Sequence, residues 1–254
     1  MPEDERSPAT EAVAIERFPD LDPGRYVEVL ACGDVELVGR MQWSSNATFL
    51  VTLRLAGDGC QAIYKPHRGE RPLWDFPDGL FKREAAAWVV SEALGWHLVP
   101  ETLVRPDAPL GEGSLQRFVW GDQEEHYFTV LDDPVHHDRL RQLAVFDIVV
   151  NNTDRKAGHC LLGDDGLVWA IDNGLCFHVE PKLRTVIWEF GGDRLDDAWR
   201  NDLRRLAAEP PEPLTRLLKP REVDLVTRRA TVLADRGELP DPDPDRRPYP
   251  WPLV

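Results

Sequence analysis

The sequence predicts an α+β fold, with an antiparallel sheet in the first half of the chain and a mainly helical second half. Three observations carry this. Between residues 35 and 65, β-branched and aromatic residues cluster in short runs, the last two joined by the turn-forming string Ala56-Gly57-Asp58-Gly59. Beyond residue 136 the apolar residues recur at helical spacing. A chain of 254 residues is also long enough to bury a sizeable core in one two-part domain.

Each element has a local reason. Residues 1–20 are rich in Glu, Asp, Pro and Ala and read as a mobile arm. Asp22-Pro23 supplies a helix cap followed by Pro at the first helical position, and Gly33 ends that helix. Strands follow at residues 35–38, 47–55 and 61–65, where Pro66 stops the ladder. The link over residues 39–46 ends in small polar residues that could cradle phosphates through backbone N–H groups, or form an ordinary hairpin loop. Residues 66–79 form a loop rich in Pro, Gly and charge. The Ala-rich run over 81–94 is the strongest helix, stopped by Gly95. Strands at 98–104 and 114–120 complete a sheet of about five, and Phe118-Val119-Trp120-Gly121-Asp122 reads as a connector to the second part. Helices are expected at 136–150, 195–208, 212–218 and 221–236. The Pro-rich tail, residues 239–254, carries aromatics suited to docking back on the domain. The resulting division is an arm (1–20), a sheet part (21–120), a helical part (121–238) and the tail (239–254).

A net charge of −15 sets up a negative field that opposes nucleic acid and anionic membrane surfaces, and favours a basic over an acidic partner. The four cysteines show no CxxC pair or disulfide-scaffold spacing, which reads as reduced thiols. The first 20 residues lack a signal-peptide pattern, and no apolar run approaches membrane-spanning length. A cytoplasmic protein without membrane insertion is the expectation.

The chemistry concentrates in residues 151–178. Asn152-Thr153-Asp154-Arg155-Lys156 follows the helix at 136–150, and a short strand pair then leads to Asp172-Asn173-Gly174. Two carboxylates are thereby brought close together, as phosphoryl transfer requires: one orients the attacking hydroxyl and the other holds a metal ion against the phosphates. A strand-terminal Lys65 could neutralise phosphate oxygens and Glu84, in the first turn of the next helix, could hold it. Without those neighbours Lys65 would be a solvated edge residue, Glu84 a charge favourable to a helix start, and both Asx strings ordinary turn formers. A zinc reading of His159-Cys160 with Cys176 and His178 is weakened because adjacent strand residues point to opposite faces.

These strings resemble a known family. Asn152-Thr153-Asp154-Arg155 and Ala170-Ile171-Asp172-Asn173-Gly174-Leu175 are similar to the catalytic and metal-binding motifs of type II phosphatidylinositol 4-kinases, and more loosely of HipA-type protein kinases. Ser44-Ser45-Asn46-Ala47-Thr48-Phe49 resembles their Ser-rich nucleotide loop, Tyr64-Lys65-Pro66 their strand lysine, and Arg83-Glu84 the start of their helix. The runs 43–49 and 70–79 also resemble an uncharacterised actinobacterial phosphatidylinositol 3-/4-kinase-like group. The resemblance covers about residues 35–190.

It implies a two-lobed protein-kinase-like fold and an ATP-dependent phosphotransferase using Mg²⁺ or Mn²⁺. Ser44, Ser45, Asn46 and Lys65 would contact phosphates, Glu84 would hold Lys65, and backbone near Phe118 and Val119 would meet the adenine. Asp154 would act on the acceptor hydroxyl, supported by Arg155 and Lys156, and Asp172 would bind metal. His159 stands where the family normally has a metal-binding Asn, and Lys156 where it often has His or Gly. Imidazole suits Mn²⁺ better than Mg²⁺. The acceptor is expected to be a protein or a small soluble molecule. The alternatives are a degenerate kinase that binds a nucleotide or a partner without transfer, and a genuine phosphatidylinositol kinase.

Overall fold

The computed structural model describes residues 16–41, 46–122 and 124–254. Helix α1 (Pro23–Cys32) starts as its sequence dictates: the Asp22 carboxylate accepts from the Arg25 N–H at 3.0 Å, and Pro23 occupies the first turn. Five strands follow, β1 (Asp34–Arg40), β2 (Phe49–Leu55), β3 (Asp58–Pro66), β4 (Thr102–Arg105) and β5 (Gly113–Arg117). They form one antiparallel sheet in the order β1-β2-β3-β5-β4.

The period of two along β3 explains how this sheet serves both a core and a site. Cys60, Ala62 and Tyr64 turn to one face, where they pack with Val51, Leu53 and Leu115 against Val29 and Leu30 of α1. Gln61, Ile63 and Lys65 therefore turn to the other. The last two strands in the chain, β4 and β5, are shorter than the sequence suggested. β4 begins only at Thr102, because Pro100 cannot donate to a ladder. Leu98 and Val99 instead enter the core of the helical part.

Helix α2 (Leu80–Leu94) ends at Gly95, whose φ of 75° is a left-handed conformation costly for other residues. Its Ala86, Ala87, Val90 and Leu94 do not pack on the sheet core but belong to a second, larger core with the helices that follow. These are α3 (Tyr127–Val130), α4 (His137–Val150), α5 (Asp197–Ala208), α6 (Glu212–Leu217) and α7 (Pro220–Arg236). A two-stranded sheet, β6 (Cys160–Leu162) with β7 (Val168–Ala170), lies after α4. Helix α2 thus joins the two parts of the molecule.

The tail docks through backbone carbonyls and through the buried side chains of Leu239 and Pro250. Pro248 O accepts from Thr185 N and Trp188 Nε1 at 3.0 and 3.2 Å, and Leu253 O accepts from Ala157 N at 2.7 Å. Trp251 remains 76% exposed, so its ring is not the anchor that the sequence suggested. No helix among the described residues is long and apolar enough to cross a membrane.

Candidate active site

Strand β3 delivers Lys65 at its end, α2 delivers Glu84 one turn in, and the segment after β7 delivers Asp172. The three meet. Lys65 Nζ donates to Glu84 Oε1 and, at 2.7 Å, to Asp172 Oδ1. Burial alone would lower the Lys65 pKa, but Asp172 and Glu84 outweigh it and hold the ammonium charged. The Lys65 charge is also the main reason Asp172 stays below the usual carboxylate range. Burial pushes Glu84 up, countered by Lys65 and by the Asn173 N–H, which donates to Glu84 Oε2 at 2.8 Å. Asp172 takes a left-handed backbone with φ of 55°, an unusual cost for a non-glycine residue and a mark of a constrained site. A side chain at Gly174 would place its Cβ 3.2 Å from Glu84 Oε1, so glycine there lets the two segments approach.

Helix α4 ends at Asn151 in a left-handed cap, and the loop that follows carries Asp154. The Asn152 side-chain oxygen accepts from Asp154 N at 2.9 Å and fixes the loop. Burial raises the Asp154 pKa, while Lys156, whose Nζ lies 3.2 Å from Asp154 Oδ2, opposes the rise. His159 Nε2 lies 3.4 Å from Asp172 Oδ2, and its Nδ1 is 3.0 Å from the Asp154 carbonyl. Nδ1 meets both an acceptor, the Asp154 carbonyl, and a donor, the Lys156 N–H at 3.4 Å, so what Nε2 faces decides the tautomer: beside the Asp172 carboxylate alone it donates, and beside a cation it would present its lone pair. Burial lowers the His159 pKa to about 4, which keeps the ring neutral. A neutral imidazole oriented by a carbonyl and adjoining a carboxylate suits a divalent ion that accepts nitrogen, Mn²⁺ more than Mg²⁺.

Arg155 lies beneath the loop rather than in the cleft. Its side chain is fully buried, donating to Asp147, to the carbonyls of His159 and Ile171, and to Asn173 Oδ1. It positions the site and does not face it.

A cavity of about 290 Å³ brings Asn46, Lys65, Glu84, Asp154, Lys156 and Asp172 to one place. The Asn46 Oδ1 accepts from Arg71 N at 3.1 Å. Ser44 and Ser45 lie outside the described residues. Phe118 and Val119 line a different cavity of about 150 Å³, together with Arg17, Phe18 and Trp120. Phe118 N donates to Gln61 O at 3.0 Å, which extends the sheet pairing into the connector.

The zinc reading fails on geometry: among the described residues His159, Cys160, Cys176 and His178 do not gather as a metal-holding group, and His178 Nε2 lies 2.8 Å from the Asp75 carbonyl. Among the described residues the grouping that could hold a metal is His67, Glu70 and Asp78, but both His67 nitrogens and both Glu70 oxygens already have partners.

Three contributors escaped the sequence reading: Asp147, Glu70 and Asn173. Asp147 could have been found, since a carboxylate on the apolar stripe of α4 demands a buried partner. Glu70 carried no such signal. Its two oxygens accept from Gly79 N, Leu80 N and Phe81 N at 3.1, 2.9 and 2.7 Å, capping α2, which has no side-chain cap of its own.

No family model matches the chain. It is similar in fold to the crystal structure of the Golgi casein kinase with Mn/ADP bound, at 15% identity and a TM-score of 0.51, covering 91% of this chain and 80% of that one. It is likewise similar to the structure of hydra Fam20 with sugar, at 12% identity and a TM-score of 0.51, covering 85% and 89%. These likenesses agree with a five-stranded antiparallel sheet followed by helices and identify the fold as kinase-like. Protein Rv2133c of Mycobacterium tuberculosis is 42% identical over 262 residues, covering 88% of this chain and 94% of that protein. The chain belongs to the family of this mycobacterial protein, and its fold is that of kinases.

Proposed function

We propose that the protein is a metal-dependent phosphotransferase that moves the terminal phosphoryl group of ATP to a hydroxyl on a soluble acceptor, either a protein or a small molecule. The observation that carries this reading is the meeting of Lys65, Glu84 and Asp172 beside Asp154 on one cavity. The Mn/ADP complex of the Golgi casein kinase supports a nucleotide and a divalent ion in the same fold.

In this reading Lys65, held by Glu84, leaves Asp172 and takes a nucleotide phosphate. Asp172 and His159 would hold a divalent cation, which when bound neutralises phosphate charge. Asp154 orients the acceptor hydroxyl and receives its proton as the new O–P bond forms and the bond to the ADP oxygen breaks. Lys156, beside Asp154, is placed to compensate charge on the group in transfer. Arg155 and Asn173 keep the two acidic segments in register from below.

The type II phosphatidylinositol 4-kinase motifs support nucleotide use more than a lipid acceptor, since function follows from the site and not from the fold. A net charge of −15 works against an anionic surface. The second reading, nucleotide binding without transfer, is favoured by one observation: His159 stands in the sequence where the resembled motif has Asn.

Calorimetry with a non-hydrolysable ATP analogue, in Mg²⁺ and then Mn²⁺, on wild type and Asp172→Ala, tests the nucleotide site. Metal-dependent binding lost in the variant is the expected result; no binding with either metal would sink the reading. Turnover of labelled ATP, abolished by Asp154→Asn with binding retained, separates transfer from binding alone.

A further inference from the structure

The loop over residues 66–79 is tied down on every side. Gly69 O accepts from Ala47 N at 3.1 Å, and Arg71 N donates to Asn46 Oδ1 at 3.1 Å, so the loop holds the end of the segment entering β2. Glu70 fastens it to the start of α2. Further on, Asp75 Oδ2 lies 3.1 Å from Lys182 Nζ, and Asp75 O is 2.8 Å from His178 Nε2. The loop therefore spans from the sheet part to the helical part and walls one side of the cleft.

Arg71 lines the 290 Å³ cavity with the acidic residues of the site. It also lines an adjoining chamber of about 120 Å³, whose other walls include Pro72, Leu73, Phe76 and Leu80. The cavity has three basic residues. Lys65 is paired with Glu84 and Asp172, and Lys156 with Asp154. Among the described residues, no carboxylate lies within ion-pair distance of Arg71. Its neighbour Glu70 is committed to the helix N–H groups. Arg71 is exposed at the rim of the cavity that Asp154 and Asp172 also line, with its backbone N–H held by Asn46, and an arginine placed there without a carboxylate partner is suited to an oxyanion.

We propose that Arg71 is an oxyanion-binding residue at the rim of the cleft. This rests on the phosphotransferase reading. One chemistry has two sources here: the terminal phosphoryl group of the nucleotide, or an anionic group on the acceptor seated in the chamber beside it.

The test compares wild type, Arg71→Lys and Arg71→Ala by calorimetry in Mn²⁺, with three probes: a non-hydrolysable ATP analogue, ADP, and inorganic phosphate added to the ADP-saturated protein. A tenfold or greater loss for the ATP analogue in Arg71→Ala, with ADP unchanged, supports the proposal and assigns the terminal phosphoryl group. Unchanged nucleotides with a tenfold loss of inorganic phosphate support it and assign the acceptor's anion. Arg71→Lys is expected to retain part of either affinity.

Equal affinities for all three probes would overturn the proposal. So would an equal loss of ATP analogue and ADP, which places Arg71 on the diphosphate or on loop architecture. If wild type binds neither nucleotide, the phosphotransferase reading has failed separately. Phosphate and pyrophosphate are then titrated into protein alone, where loss in Arg71→Ala supports the oxyanion site and equality overturns it.

Discussion

Arg155 Nη2 stands 3.0 Å from Asp147 Oδ1, with neither side chain exposed to solvent at all. Asp147 also accepts from Asn152 Nδ2 and from Thr185 Oγ1, both at 3.1 Å, while Arg155 reaches the carbonyl that precedes Asp172. One buried ion pair therefore links α4, the Asp154 loop and the Asp172 segment. Removing one partner strands the other charge without solvent, at a cost of about 3–5 kcal/mol. Arg155→Met and Asp147→Leu should each lower unfolding stability by that order in urea titrations. A loss below about 1 kcal/mol would mean that water reaches the pair.

In the proposed site His159 would set the metal preference. Its Nε2 beside Asp172 Oδ2 offers a nitrogen and an oxygen donor, so Mn²⁺ should support nucleotide binding better than Mg²⁺. Asn in its place offers a carbonyl oxygen, which suits the harder ion. We expect His159→Asn to shift the Mn²⁺-to-Mg²⁺ affinity ratio for ADP toward Mg²⁺ by about tenfold, a change of about 1.4 kcal/mol. An unchanged ratio in calorimetry would remove His159 from the metal site.

The same histidine should leave a mark on stability in chelated, metal-free buffer. Burial lowers its pKa from 6.5 to about 4, so below pH 6.5 the unfolded chain binds a proton that the folded protein refuses. Stability is thus lost as pH falls from 6.5 toward 4, by up to about 3 kcal/mol at 1.36 kcal/mol per pH unit. Above pH 6.5 the ring is neutral in both states and contributes nothing to the slope. Urea titrations of wild type and His159→Gln across this range should show the variant with the shallower decline. Parallel curves would contradict the assignment.

Glu70 supplies the cap that α2 lacks, and loss of a capping side chain costs about 0.5–2 kcal/mol. Glu70→Ala should lose stability in that range, and Glu70→Gln less, because one amide oxygen still accepts. Hydrogen exchange at the amides of Gly79, Leu80 and Phe81 should accelerate in Glu70→Ala. Exchange as slow as in wild type would show that the three bonds do not protect the helix start.

That Lys65, Glu84, Asp154 and Asp172 would meet was legible in the sequence, three of them through local punctuation and Glu84 through its place in the first turn of a helix. Pro66 ends the strand after Lys65, and Asx-rich turns surround both aspartates. The sheet was legible through its period of two. What the sequence hid depends on contacts between distant segments. Glu70 looks like any charged loop residue until its carboxylate is seen at a helix end ten residues away. The partition of α2 was equally hidden, since its alanines fit either core and only the later helices decide which one they enter. Tail docking was half legible: prolines excluded regular structure correctly, but carbonyls with Leu239 and Pro250, and not the rings of Tyr249 and Trp251, make the attachment.

On the proposed reading, the resting contact of Lys65 with Asp172 would make nucleotide and cation binding thermodynamically interdependent. A cation arriving alone must compete with an ammonium group for the Asp172 carboxylate, and a nucleotide arriving alone must draw Lys65 away and leave that carboxylate uncompensated. Each ligand removes the obstacle to the other. By linkage the gain is mutual: whatever factor the metal adds to nucleotide affinity, the nucleotide returns to the metal. Lys65→Met would weaken nucleotide binding yet ease entry of the cation, and the cooperativity between them would fall.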